Sequence, residues 1–165
     1  MTLKGEGGRY WDDCLHCFYP WYVKPALEIL DKIDPKGKRV FEYGSGDSSI
    51  WYRTAGYEVH SVDHNKEWAR KSGAVWRRAK GKYLSEIERH NPPYDIVVID
   101  GEHRDECIGY ALAYTKPGSI IIIDNFHQPS VQADWPITDE LTKNLIVEVY
   151  KQEGHYDWQT AIIRL

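Results

Sequence analysis

At 165 residues, 42% of them hydrophobic, the chain can bury a sizeable core in one domain and leaves little room for a second. A formal net charge of −4 gives no global attraction to nucleic acid or an anionic membrane, and no apolar run reaches the ~20 residues of a membrane span. The start M-T-L-K-G-E-G-G-R lacks the apolar segment of a signal peptide, and Cys14, Cys17 and Cys107 cannot all pair, so a cytoplasmic protein with reduced thiols is expected.

Residues 1–9 are Gly-rich and polar, and are expected to be loosely held. The aromatic stretch from Tyr10 to Tyr22 follows, and residues 1–24 are read as an N-terminal segment forming a lid over a ligand, ahead of a single domain at 25–165. Cys14, His16 and Cys17 have the look of metal ligands, but a structural zinc site needs four, and aromatic packing with buried thiols is the preferred reading. Ala26, Leu27, Leu30 and Ile33 recur at helical spacing, and Asp34-Pro35-Lys36-Gly37 ends that helix.

The stretch K-R-V-F-E-Y-G-S-G-D-S-S-I, residues 38–50, predicts a strand, a glycine turn and a helix capped by Asp47, Ser48 or Ser49. Glycine is needed in such a turn because a side chain would keep a ligand off the backbone. A dinucleotide loop wants Gly or Ala three positions after its second glycine, where this chain has Ser49. Glu42, Gly44 and Gly46 instead resemble the acidic-x-Gly-x-Gly opening of class I S-adenosylmethionine methyltransferases.

After a helix over 48–55, a strand over 57–62 ends at Asp63-His64. This acid lies about 20 residues beyond the glycine turn, where Rossmann-type folds place a carboxylate on the ribose hydroxyls. A helix over 65–73 and a strand over 74–79 carry Lys66, Arg70, Lys71, Arg77 and Arg78 among Trp68 and Trp76. That basic region is read as a solvated face in preference to a nucleic-acid surface. Gly81, Lys82 and Tyr83 then stand where this fold meets an adenine.

Asn91-Pro92-Pro93-Tyr94 matches the tetrapeptide with which some amine methyltransferases hold a planar amine. Here it precedes the strand 94–100, away from the carboxyl ends, and reads as a turn. That strand ends in Asp100-Gly101-Glu102-His103 before a helix over 104–114 and a turn at Lys116-Pro117-Gly118. The apolar strand 119–123 ends in Asp124-Asn125-Phe126-His127. A loop over 128–136, a short helix over 137–143 and two strands, 145–151 and 157–164, joined by Glu153-Gly154-His155 complete the chain.

Four strands therefore end in polar clusters that would face one crevice: Glu42 with the glycine turn, Asp63, Asp100 with His103, and Asp124 with Asn125. This layout is an α/β Rossmann-like class I methyltransferase fold, a mostly parallel seven-stranded sheet with a terminal antiparallel hairpin and helices on both faces. Over residues 25–165 the chain resembles the metal-dependent catechol and caffeoyl-coenzyme-A O-methyltransferases. It also resembles bacterial methyltransferases with Asp-Gly-x-His at this point.

The resemblance implies S-adenosyl-L-methionine as cofactor, held by Glu42, Gly44, Ser45, Gly46, Asp63, His64, Tyr83 and Asp100. It implies Mg²⁺, or Ca²⁺ or Mn²⁺, on Asp100, Asp124 and Asn125, a hard oxygen set such ions prefer. His103 and Asp100 are the catalytic candidates: His103 stands where the catechol enzymes carry a lysine base, and the ~6.5 typical of a histidine side chain suits that work. The implied acceptor is a small-molecule or sugar hydroxyl, with Phe126 and Trp135 as stacking candidates, and with residues 10–22, the 126–137 loop or a second subunit of a homo-oligomer supplying the pocket. The rival readings are a nicotinamide-dependent oxidoreductase, a non-catalytic cofactor-binding module and an RNA methyltransferase.

Overall fold

Apolar residues fill both alternating sets of positions along the central strands, so each strand must be covered on both faces. Val40, Ile96, Val98, Ile120, Ile122 and Ile162 point to one side and Phe41, Val97, Ile99, Ile121, Ile123 and Ile163 to the other. The computed structural model describes residues 4–6 (backbone only), 9–128, 130–131, 134–153 and 158–165.

Its main sheet has seven strands: β4 (Arg39–Tyr43), β5 (Glu58–Asp63), β6 (Val75–Trp76), β7 (Tyr94–Ile99), β8 (Thr115–Asp124), β9 (Ile146–Lys151) and β10 (Gln159–Arg164). Their spatial order is β6-β5-β4-β7-β8-β10-β9. The first five are parallel, and β10 runs antiparallel to both β8 and β9. On one face lie α1 (Lys24–Leu30) and α2 (Asp47–Ala55), which contribute Ala26, Leu27, Leu30, Trp51 and Tyr52 to the core. On the other lie α4 (Lys80–Leu84), a 3₁₀ turn at Ser85–Arg89 and α5 (Arg104–Ala113), with Leu84, Ile87, Cys107 and Ile108 buried. Each such fully buried aliphatic side chain contributes roughly 1.5–3 kcal/mol.

The N-terminal segment is more structured than its sequence suggests. Backbone pairing joins β1 (Lys4–Glu6), β2 (Arg9–Asp12) and β3 (Cys17–Phe18) into a small antiparallel sheet. Asp12 accepts from the backbone nitrogens of Cys14 and Leu15 at the turn, and from Trp51 Nε1 at 3.1 Å, which fastens the sheet to α2. Tyr22 and Val23 are fully buried.

Three other expectations change. Lys116-Pro117-Gly118 is not a turn before the fifth parallel strand but the start of it, with an irregular register against β7 and Gly118 at φ +87°. The strand expected over 74–79 shrinks to Val75–Trp76. Ser48 and Ser49 do not cap α2; they lie in its first turn, and Gly46 is the N-cap. Asn91-Pro92-Pro93 does precede β7 at its amino end, where the carbonyls of His90 and Asn91 accept from Arg39. The turn residues Gly154 and His155, residues 1–3 and 7–8, and positions 129, 132 and 133 of the 128–136 loop lie outside the described residues.

Between β4 and β7 the strand order reverses, and there the backbones after the two strands touch. A Cβ on Gly44 would lie 2.7 Å from the Gly101 nitrogen, and one on Gly101 would lie 2.8 Å from the Gly44 nitrogen and 2.1 Å from Tyr83 Oη. Gly44 also has φ +93°. Gly101→Ala is therefore expected to cost about 1–3 kcal/mol in chemical denaturation. Gly81→Ala, inside α4 with nothing beyond its chain neighbours and the helix's own backbone within 4 Å of the added carbon, should be neutral or stabilising by up to about 1 kcal/mol.

Candidate functional site

The touching glycines stand at the sheet's switch point, where an open α/β sheet leaves a crevice outside the carboxyl ends of its strands. Gly44 is tied down by its N–H to Val62 O at 2.9 Å, and Asp100 by its N–H to Tyr43 O at 2.8 Å. Tyr83 is 1% exposed, so it supports this junction from beneath and does not offer an open ring face.

Asp63 ends β5 beside the junction and is 4% exposed. Its carboxylate accepts from Ser45 Oγ at 2.7 Å and from the Asn65 nitrogen at 2.7 Å, so both the glycine turn and the start of α3 (Lys66–Ser72) are built around it. Asn65 in turn caps α3 through the nitrogens of Glu67 and Trp68. His64 lies between Asp63, at 3.5 Å, and Glu102, at 3.3 Å. Outside these residues opens a cavity of about 620 Å³ lined by His64, Asn65, Lys66, Trp76, Arg78 and Glu102. Trp76 forms one wall, with its Nε1 donating to His64 O at 3.0 Å. Sequence reasoning missed Asn65, Trp76 and Glu102 as cavity residues; their nearness to the strand-end acid was the available signal.

Glu42 is placed differently from expectation. It is fully buried, and its two oxygens accept from Ser48 Oγ and Ser49 Oγ. The carboxylate thus fastens the first turn of α2 to β4 and does not open onto the crevice. Burial pushes its pKa up to about 7, against the pull of the two hydroxyls.

The ends of β7 and β8 are joined by Arg104, which is 7% exposed. Its Nε donates to Gly101 O at 2.9 Å, and Nη2 to Asp100 O at 2.9 Å and Asp100 Oδ1 at 3.1 Å. Its Nη1 donates to Asp124 O and to Asn125 Oδ1, the latter at 3.1 Å. Asp124 Oδ1 accepts from Thr160 Oγ1 at 2.7 Å, and that hydroxyl accepts from the Val23 nitrogen at 3.2 Å. Burial first, then the charge of Asp100, pushes Asp124 up to about 8. Asp100 is also raised, by burial and against the pull of Arg104. Its side chain is 30% exposed at the rim, where one oxygen meets the guanidinium at 3.1 Å.

His103 occupies the N-cap of α5 at φ +55°, a left-handed conformation, and its side chain makes no capping hydrogen bond. About a third of that side chain is exposed, with Nε2 3.8 Å from Glu102. The neighbouring Asp105 accepts from the nitrogens of Ile137 and Thr138 and from Thr138 Oγ1. It thereby caps α6 (Pro136–Thr142), which has no side-chain cap of its own.

Phe126 and Trp135 are 5% and 1% exposed and pack on each other at 4.9 Å, so they are core residues and not stacking surfaces for an acceptor. His127 is exposed beside them. The basic region is internally engaged: Arg77 pairs with Glu86, Lys80 with Glu106, and Lys66 and Lys71 lie over Trp76 and Trp68. Among the described residues no group of three or more His, Cys, Asp or Glu is placed to hold a metal, Cys14, His16 and Cys17 included. No described helix is long and apolar enough to cross a membrane.

No protein-family model matches the chain, and comparison with curated proteins finds no match. Solved structures do match. The O-methyltransferase TomG of Streptomyces achromogenes, from tomaymycin synthesis and in complex with SAM, is 19% identical; 84% of this chain and 78% of that one align, with a TM-score of 0.59. An O-methyltransferase of Bacillus cereus in complex with SAH is 18% identical over 85% of this chain and 79% of that one, TM-score 0.61. The MycE methyltransferase of mycinamycin biosynthesis, in complex with Mg, SAH and mycinamycin VI, is 14% identical over 85% of this chain, TM-score 0.59. Here the chain spans 48% of MycE, about half its length. The chain has the class I methyltransferase fold. At these identities the likeness shows the fold alone.

The buried carboxyl of Glu42 gives a test of this geometry. Because its pKa is raised, the folded state holds a proton that the unfolded chain has released between pH 4.5 and about 7, so this group's contribution falls as pH rises through that window. Glu42→Gln keeps an amide that the two serines can satisfy. Its thermal stability relative to wild type should rise from pH 4.5 to 7 and then level off, by about 3 kcal/mol in all. A pH-independent difference between the two proteins would refute the assignment.

Proposed function

We propose that the chain is an S-adenosyl-L-methionine-dependent methyltransferase acting on a hydroxyl group of a small molecule. The observation that carries this reading is Asp63, a buried strand-end carboxylate that holds Ser45 of the glycine turn, directly before His64 and Asn65, which line a cavity of about 620 Å³. The residues fit the cofactor. Asp63 would accept from the ribose hydroxyls, sharing its oxygens with Ser45 and Asn65. His64 and Trp76 would flank the adenosine, while Gly44, Ser45 and Gly46 would leave their backbone open to the methionine part.

When bound, the cofactor would supply a methyl group on a sulfonium sulfur, and that sulfur would keep the electron pair of the broken S–C bond and leave as a neutral thioether. His103 is the chain's candidate base: its Nε2 would take the acceptor's hydroxyl proton as the oxygen bonds to the methyl, and Glu102, 3.8 Å away, would steady the imidazolium. Asp100, at the rim beside Arg104, would orient the acceptor. Residues 10–22 and the 126–137 loop would bound its pocket, which keeps a lid role for the N-terminal segment within this proposal. TomG and MycE, by name enzymes of two natural-product pathways, support a small-molecule acceptor.

The divalent cation expected on Asp100, Asp124 and Asn125 enters no step. One oxygen of Asp100 and that of Asn125 already accept from Arg104, and one oxygen of Asp124 accepts from Thr160. The donor set does not fit a dication while the guanidinium holds this place. A nicotinamide enzyme is disfavoured by Ser49, which is buried and bonded to Glu42 where a dinucleotide loop needs Gly or Ala.

Calorimetry should show S-adenosylhomocysteine binding in the micromolar range and no binding of NAD. Asp63→Ala should weaken that binding at least tenfold, and unchanged affinity would sink the ribose assignment. With an acceptor found by screening hydroxyl compounds, His103→Ala should lower kcat by about 10²–10⁴-fold. Turnover that survives this change at every pH would remove His103 as the base.

A further inference from the structure

The cluster joining β7 and β8 contains its own cation. Arg104 meets every residue of the expected metal set: the backbone and carboxylate of Asp100, the backbone carbonyl of Asp124 and the carboxamide of Asn125. A guanidinium presents its donors in a fixed planar fork and stays charged at any pH the fold survives. Here all three of its nitrogens are engaged with one strand end or the other, and the side chain is almost wholly withdrawn from water. Such a group does not swing aside cheaply, because it would give up five hydrogen bonds at once. It also sits on the first turn of a ten-residue helix, whose amino end adds further positive potential.

We infer that Arg104 takes the place of a divalent cation in this site, as a positioning residue that holds Asp100 and Asn125 and keeps metal ions out. This rests on the reading of the crevice as a methyl-transfer site, but the exclusion of metal is measurable without any turnover. Only the charge of residue 104 separates this from a purely structural role, so the two roles predict different metal binding in variants of equal bulk.

The test is a Mn²⁺ titration of the full chain followed by electron paramagnetic resonance, on wild type, Arg104→Lys and Arg104→Met, with S-adenosylhomocysteine affinity measured in parallel. Wild type and Arg104→Lys, both cationic, should bind Mn²⁺ no more tightly than millimolar. Arg104→Met, of similar length and uncharged, should bind it at least tenfold more tightly, and adding Asp124→Asn should abolish the gain. Micromolar Mn²⁺ binding by wild type that Asp124→Asn removes would overturn the inference, and needs no variant at position 104 to fold. A folded Arg104→Met that gains no Mn²⁺ site would overturn it too. Loss of S-adenosylhomocysteine binding in wild type would instead count against the cofactor reading and leave the Mn²⁺ result standing.

Discussion

Everything at this site depends on two pieces of backbone coming closer than side chains allow. Gly44 and Gly101 follow strands that the chain visits more than fifty residues apart, yet a single added carbon on either would collide with the other. That closeness sets the floor of the crevice, and it is why Tyr83 can fill the space below with its hydroxyl against Gly101. The acids then stand around this floor at heights fixed by the parallel register, Val40 to Ile96 on one side and Val40 to Val59 on the other.

Around that floor the chain divides its carboxylates by task. Glu42 and Asp105 are spent on holding helices, one on the first turn of α2 and the other on the start of α6. Asp63 organises the turn that a ribose would meet. Asp100 and Asp124 are held by a guanidinium and a threonine. Strand-end acids of one type in the sequence thus become structural, ligand-facing and charge-compensated members of one neighbourhood, distinguished only by burial and partners.

Much of this was legible in the sequence. Continuous apolar strands such as Ile120–Ile123, each followed by a polar cluster, disclose the parallel sheet and the end at which a ligand binds. What escaped was nonlocal. Glu42 reads as a ligand-facing acid because nothing adjacent reveals that Ser48 and Ser49 fold back onto it. Arg104 reads as an ordinary helix residue, since its partners at positions 124 and 125 come near only when β7 and β8 pair. Phe126 and Trp135 look like an acceptor's stacking surface until each is seen to bury the other. The small β1–β2–β3 sheet has strands too short for period-two alternation to register.

The capping of α6 by Asp105 has a consequence for how the protein comes apart. A seven-residue helix without its own N-cap is marginal in water, and this one borrows its start from the first turn of a neighbour. Opening α5 withdraws the acid from Ile137 and Thr138, so α6 cannot stay folded after α5 lets go. The expected order of loss runs in one direction only: α6 can fray by itself, whereas the departure of α5 takes α6, the Arg104 clamp and the His103 cap with it.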